Sequence, residues 1–446
     1  MTELPRRAVA RTARLAALPL GFAGRSAVGM GRRMGGAPAD AVLSDVQQRT
    51  AEQLFKTLGD LKGGAMKMGQ ALSIMESMLP EDVAAPYRAQ LTRLQDSAPP
   101  MSSATVHSVL ARELGPRWRS QLVELDPNPA AAASIGQVHR GRWVDGREVA
   151  VKLQYPGAGP ALMADLRQLS RVARTFGTVI PGIDIKPLIA ELQDRVAEEL
   201  DYRLEADAQQ VFAAAFRGDP TFHVAEVVHQ TEHLLVSEWI ESSASLARLI
   251  AEGTQEERNH YGEVYLRFLF AGPARVGMLH ADPHPGNFRL LPAADGALGG
   301  LGIVDFGAVA RLPERTLPLA IGSLVKVALD DDYDTFLQGL RDEGFVRPSI
   351  RIDPVELRAY LSPFVEPAAT ETFRFSRDWM RSQFQRLQDP RQPGSTVALK
   401  LNLPPSYLLI HRVWLGSIGV LCQLEADIPF RSIIEDSLPG FAEDPA

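Results

Sequence analysis

Four short segments of this 446-residue chain carry residue types that phosphoryl transfer requires. Lys152 ends an alternating apolar run, Val149-Ala150-Val151-Lys152, where an ammonium fixed on a strand can meet the α and β phosphates of a nucleotide. Asp282 and Asn287 stand with four residues between them in His280-Ala281-Asp282-Pro283-His284-Pro285-Gly286-Asn287. The carboxylate can accept the proton of an incoming nucleophile, and the amide oxygen can ligate Mg²⁺. Asp305-Phe306-Gly307 follows the apolar pair Ile303-Val304 and offers a carboxylate to bridge Mg²⁺ and phosphates. Ahead of Lys152, Ala131-x-Ala133-Ser134-x-Gly136-x-Val138 has the spacing of a loop that covers phosphates, with alanine in the first two glycine positions. Backbone N–H groups can still approach a phosphate there, but each added methyl limits how closely the loop can lie.

Taken singly, each segment has a plainer explanation: a small-residue turn, a solvated strand-end lysine, a metal site of His280, His284 and Asp282, a chance Asp-Phe-Gly. The two histidines flank Pro283 and lack the helical spacing of common zinc motifs. The order of the segments is more specific than any one of them, because loop, lysine, Asp…Asn and Asp-Phe-Gly succeed one another as in protein kinases. The lysine then needs a carboxylate, and Glu198, Glu199, Asp201 and Glu205 lie on one helical pattern. That pattern follows Pro187, with Leu188, Leu192, Val196, Leu200, Leu204, Ala208 and Phe212 every four residues. On a regular helix Glu198, Asp201 and Glu205 share a face from which Glu199 turns away, so Glu205 is expected to hold Lys152 and Glu199 to serve something else. Glu238, in the strand-like stretch His233–Ile240, is a further candidate nucleotide contact.

These residues need elements to position them. Residues 40–94 are helical in pattern and punctuated by Pro80 and Pro86, with Pro99 and Pro100 following. Two alternating apolar runs around Asp145-Gly146 predict a hairpin ending at Lys152. From Ser245 onward helices dominate, apart from short strands near Phe288–Leu291 and Gly302–Val304. The expected architecture is α+β, a bilobal protein-kinase-like fold with an N-terminal helical extension. Its parts are a basic segment (1–39), the extension (40–115), a lobe with a small sheet and long helix (116–240), and a mostly helical lobe (241–446).

Composition sets the outer limits. Hydrophobic residues make up 45% and charged residues 23%, as in globular proteins. The single cysteine, Cys422, rules out an intramolecular disulfide and fits a reducing compartment such as the cytoplasm. A net charge of -7 offers no basic domain for nucleic acid. The first 33 residues nevertheless carry Arg6, Arg7, Arg11, Arg14, Arg25, Arg32 and Arg33 against Glu3 alone. Two readings stand: peripheral contact with the inner face of an anionic membrane, or a disordered basic tail. Tyr407–Leu424 is the most apolar stretch, but His411 and Arg412 interrupt it, and it reads as a buried C-terminal helix.

Two departures from ordinary kinases matter: His-Ala-Asp stands where His-Arg-Asp is usual, and no Ala-Pro-Glu follows Asp305 before helical texture resumes near Leu317. A small or lipid-like acceptor fits better than a peptide. The chain resembles the UbiB/AarF family of atypical protein-kinase-like proteins, associated with isoprenoid quinone biosynthesis. The resemblance rests on Lys67-Met68-Gly69-Gln70 (K-x-G-Q), AAAASIGQVHRG from Ala130, VAVKLQYPG from Val149, Glu199-Leu200-Asp201 (E-x-D), HADPHPGN from His280 and DFG at Asp305, within roughly Lys62 to Leu312. It implies that the helical extension covers the acceptor site, that Glu199 and Asp201 meet Lys67 and Gln70, and that the alanine loop hampers protein phosphorylation. It further implies ATP or ADP and Mg²⁺ as cofactors, and ATP turnover tied to a lipid or phenolic quinone precursor. A small-molecule phosphotransferase and a nucleotide-binding scaffold without catalysis are the competing readings.

Overall fold

The computed structural model describes residues 100–133, 135–160, 163, 197–293, 297–389 and 391–441. Helix α1 (Ser103–Glu113) starts where the Ser102 hydroxyl accepts the Thr105 N–H. A sheet follows, built from β1 (Leu122–Leu125), β2 (Ala131–Ala133), β3 (Gly136–Trp143), β4 (Glu148–Gln154), β6 (Val227–Gln230) and β7 (Leu234–Glu238). Its order is β1-β3-β4-β7-β6 with β2 against β3, all antiparallel. The expected hairpin is β3–β4, with Gly146 at φ 89 in the turn.

Alternation along β4 assigns its two faces. Val149, Val151 and Leu153 bury against Leu234 and Val236 of β7 and against Val106, Val109 and Leu110 of α1. Helix α1, grouped by sequence with the extension, therefore packs into the core of the sheet lobe. Lys152, between those buried residues, points to the other face. A buried polar chain pins the edge: Gln137 accepts from the Met101 N–H (2.7 Å) and meets His139 Nε2 (2.6 Å), whose Nδ1 meets the Asp126 carbonyl (2.7 Å).

The long helix expected after Pro187 is interrupted. Leu200 and Asp201 leave helical geometry, and a new helix, α2 (Tyr202–Ala215), starts with Asp201 as its N-cap. The Asp201 carboxylate accepts the Arg203 N–H, a geometry that competes with continued helix. In α2 Tyr202, Glu205, Gln209 and the expected Ala208 and Phe212 are buried, while Leu204, expected in the same stripe, is exposed.

Strand β5 (Phe222–Val224) leaves the sheet lobe and pairs in parallel with β11 (Leu301–Ile303), the strand that leads to Asp305. With β10 (Phe288–Leu290) and β8 (Ala244–Ser245) they form a sheet ordered β5-β11-β10-β8. A second pair, β9 (Met278–His280) and β12 (Val309–Arg311), brackets the catalytic segments. Helices α3 (Leu246–Glu252) and α4 (Gln255–Val276) follow β8; a Thr254–Glu257 capping box opens α4, and Gly277 closes it at φ 68. The remaining helices are α5 (Leu319–Leu329), α6 (Tyr333–Asp342), α7 (Pro354–Val365), α8 (Arg377–Gln388), α9 (Val397–Lys400), α10 (Leu408–Leu424) and α11 (Phe430–Ser437). The short pair β13 (Phe373–Arg374) and β14 (Asp427–Ile428) completes the lobe. Phe212 of α2, Phe216 at its C-cap, Phe268 of α4 and Phe306 sit in one buried cluster that joins the lobes. The fold is bilobal and protein-kinase-like.

Pro405–Leu424, which includes α10, is the one helix among the described residues long and apolar enough to cross a membrane. More than half of its apolar window is buried. Val413, Ile418, Leu421 and Cys422 lie in the main core, and burial pushes the Cys422 thiol well up. The basic N-terminus and the K-x-G-Q residues Lys67 and Gln70 lie outside the described residues.

Candidate active site

Lys152 meets three side chains from two other elements. Its Nζ lies 2.6 Å from Glu205 Oε1 of α2 and 3.2 Å from Asp305 Oδ2, and 5.2 Å from the centre of the Tyr202 ring. Burial alone would favour the neutral amine, but the two carboxylates outweigh it and hold the ammonium charged. Burial, and to a lesser degree the neighbouring Asp305, push Glu205 up while Lys152 opposes them. Glu205 also accepts the Phe306 backbone N–H. One buried carboxylate thus ties α2 to both the lysine strand and the Asp305 segment.

Phe306 is buried against Phe212 of α2 (ring centroids 5.0 Å apart) and His280 (5.2 Å). His280 Nε2–H donates to the Asp305 carbonyl at 2.6 Å, so this ring is a neutral donor, and burial lowers its basicity. The Gly307 N–H donates to Asp305 Oδ1 (2.9 Å). Asp282 is buried in the neighbouring loop, where its carbonyl accepts from Asn287 Nδ2 (3.3 Å) and Tyr265 donates to the Pro283 carbonyl (2.8 Å). Asp282 Oδ1 also meets Arg412 Nη2 of α10 at 3.2 Å.

A divalent cation here would be held by Asp305 and Asn287. Asn287 spends its amide nitrogen on the Asp282 carbonyl, which turns its oxygen the other way. One carboxylate and one amide oxygen, with phosphates and water completing the shell, suit Mg²⁺. The histidine metal site does not form: among the described residues no group of three or more His, Cys, Asp and Glu side chains could hold a metal ion.

Other sequence candidates are distributed differently. Ala131, Val138 and Lys152 are cross-strand partners on β2, β3 and β4 and share a sheet face. Ala133 is buried, and Ser134 lies outside the described residues. Gly136, taken as a phosphate-loop glycine, has a packing reason: a Cβ there would lie 2.1 Å from the Leu153 carbonyl oxygen. Glu238 does not face Lys152. Its carboxylate meets His223 Nε2 (3.1 Å) and the Glu226 N–H (3.3 Å) beside a separate cavity of about 420 Å³ lined also by Arg147, Phe216 and Trp239. The strand end carries its side chain away from Lys152. Glu198 and Asp201 do not share a helix face with Glu205, because the helix breaks between them; Asp201 caps α2 and binds Arg203 Nε at 2.8 Å. Glu199 is half-buried before the break.

Sequence reasoning missed Tyr202 and Arg412. Tyr202 carried a signal, lying directly after the E-x-D and three residues before Glu205; Arg412 carried none beyond being a charge in an apolar helix.

Comparison with known proteins agrees with this geometry. Residues 93–338 match the ABC1 atypical kinase-like domain, more than half of the chain. The atypical kinase COQ8B, mitochondrial, of Rattus norvegicus is 29% identical over 404 residues, covering 87% of this chain and 72% of that one. The atypical kinase COQ8, mitochondrial, of Saccharomyces cerevisiae is 30% identical over 270 residues, covering 60% of this chain and 51% of its own length. Among solved structures, Rv3197 of Mycobacterium tuberculosis, determined in complex with erythromycin, is 39% identical, with a TM-score of 0.67 over 91% of this chain and all of that one. The chain belongs to the ABC1 atypical kinase-like family, the UbiB family.

Proposed function

We propose that this chain is a Mg²⁺-dependent ATPase or atypical kinase acting in isoprenoid quinone or related lipid metabolism. The observation that carries the reading is Lys152 held between Glu205 and Asp305, an arrangement already set to receive nucleotide phosphates. Mg²⁺ would offset the charge of the phosphates at Asp305 and Asn287. Lys152 would orient the α and β phosphates, and Asp282 would take the proton of water or an acceptor hydroxyl. Ala131 and Ala133 would restrict how closely the loop settles over the γ-phosphate, which favours turnover to water or a small acceptor over a protein. The basic N-terminus would bring the enzyme to an anionic membrane surface, where such acceptors dissolve.

Phosphate release from MgATP, with and without anionic liposomes and a phenolic lipid analogue, tests this reading. Turnover that rises with both additions and vanishes in Asp305→Asn supports it. A wild-type protein that neither binds nor turns over MgATP overturns it and leaves the scaffold reading. The erythromycin complex of Rv3197 favours a second reading, in which the acceptor or effector is a bulky amphipathic small molecule. Erythromycin in the same assay separates the two.

A further inference from the structure

The loop that carries Asp282 lacks a cation of its own: His280–Asn287 contains neither lysine nor arginine. Lys152 is committed to Glu205 and Asp305. The positive charge at Asp282 arrives instead from α10, whose Arg412 Nη2 lies 3.2 Å from Asp282 Oδ1 although 130 residues separate them. The Asp282 side chain is 8% exposed and that of Arg412 40%, so the carboxylate is enclosed while the guanidinium keeps contact with solvent. Helix α10 is a firm base for this contact. Val413 and Ile418 bury in the core, and Tyr407, just before its first turn, donates to Glu343 Oε2 at 2.6 Å.

We infer that Arg412 is a positioning residue for Asp282, fixing the direction of its carboxylate, and that the C-terminal helix supplies the cation missing from the catalytic loop. The inference rests on Asp282 as the proton acceptor. Tyr265, His280, His284 and Asp305 do not take the place of that cation. Tyr265 of α4 is buried and kept as the neutral phenol, His280 and His284 are disfavoured as cations by burial, and Asp305 carries the wrong sign.

The test compares wild type, Arg412→Gln, Arg412→Lys, Asp282→Asn and the double variant Asp282→Asn/Arg412→Gln as full chains, measuring MgATP affinity separately from kcat of ATP turnover. Tyr407→Phe, which loosens α10 without touching the charge, controls for helix anchoring. Arg412→Gln is expected to lower kcat about 10- to 100-fold while leaving MgATP affinity within about twofold. Arg412→Lys should restore most of kcat, and the double variant should be no slower than Asp282→Asn. If Asp282→Asn is inactive while Arg412→Gln keeps the wild-type kcat, the inference is overturned and the reading of Asp282 survives. Equal losses in Arg412→Gln, Arg412→Lys and Tyr407→Phe also overturn it, leaving Arg412 a structural anchor. A fully active Asp282→Asn removes the base assignment itself.

Discussion

Around Lys152 the charges are matched by groups 53 and 153 residues away, whereas around Asp282 several contacts arise within the loop, including Asn287 to the Asp282 carbonyl and His284 to Gly286. The first region is a convergence of strand, helix and loop; the second is a turn that holds part of its own shape and takes further contacts from Tyr265, Asp305 and Arg412. They should fail differently. Removing a member of the Lys152 cluster leaves a buried charge without its partner, so binding and folding suffer together. The Asp282 loop keeps its own backbone contacts, so changes there should cost rate with little stability.

The largest effect is expected from Lys152→Met, which leaves Glu205 buried beside Asp305 without a cation. Destabilisation on the order of 3–5 kcal/mol and loss of nucleotide binding should follow, read by chemical denaturation and MgATP titration. Adding Glu205→Leu should return stability without returning binding. If Lys152→Met is as stable as wild type, the two regions do not differ as described.

Asp305→Asn comes next. Lys152 keeps Glu205, so the fold should hold, but most of the Mg²⁺-dependent stabilisation by ATP should vanish. At a hundredfold excess over Kd that stabilisation is about 2.7 kcal/mol, and thermal shift with and without MgATP measures it. A wild-type shift in the variant would remove Asp305 from the metal site.

Gly136→Ala sharpens the comparison, because it separates packing from phosphate binding. The added methyl meets the Leu153 carbonyl, and forcing β3 from β4 should cost about 1–3 kcal/mol even with no nucleotide present. A variant with normal apo stability and weakened ATP binding would return Gly136 to the phosphate loop.

The smallest effect concerns the lobe junction away from the cleft. The hydrogen bond to Glu238 raises His223, while its partial burial opposes this. Because the folded value lies above that of the unfolded chain, the contribution is full below about pH 6.5 and disappears as pH rises through the raised value. His223→Gln should therefore lower Tm slightly near pH 6 and not at all near pH 9. Both groups are well exposed, so solvent keeps the effect small. A Tm difference that does not vary with pH would mean that the pair contributes no charge.

The helix around Glu198–Glu205 shows where sequence reading stops. A four-residue apolar repeat predicts one continuous helix, yet Asp201 offers its carboxylate to the next turn and starts a new one, a choice between two local hydrogen-bonding patterns of similar energy. Glu205 remained legible because it lies inside α2, beyond the break. Glu238 did not, because the direction of a side chain at a strand end depends on which neighbours receive it.

The sequence by itself determined the kinase-like order of motifs, the β3–β4 hairpin and the neighbourhood of Asp282, because strand alternation, the Asp-Gly turn and an eight-residue loop are set by residues close together in the chain. Only the tertiary structure decided that β5 crosses over to pair with the strand before Asp305, that a side chain at Gly136 would meet the Leu153 carbonyl, and that Arg412 reaches Asp282. Each of these is a contact between segments far apart in sequence. Spacing can say that a charge needs a partner, but only packing decides which of several distant candidates is brought within reach.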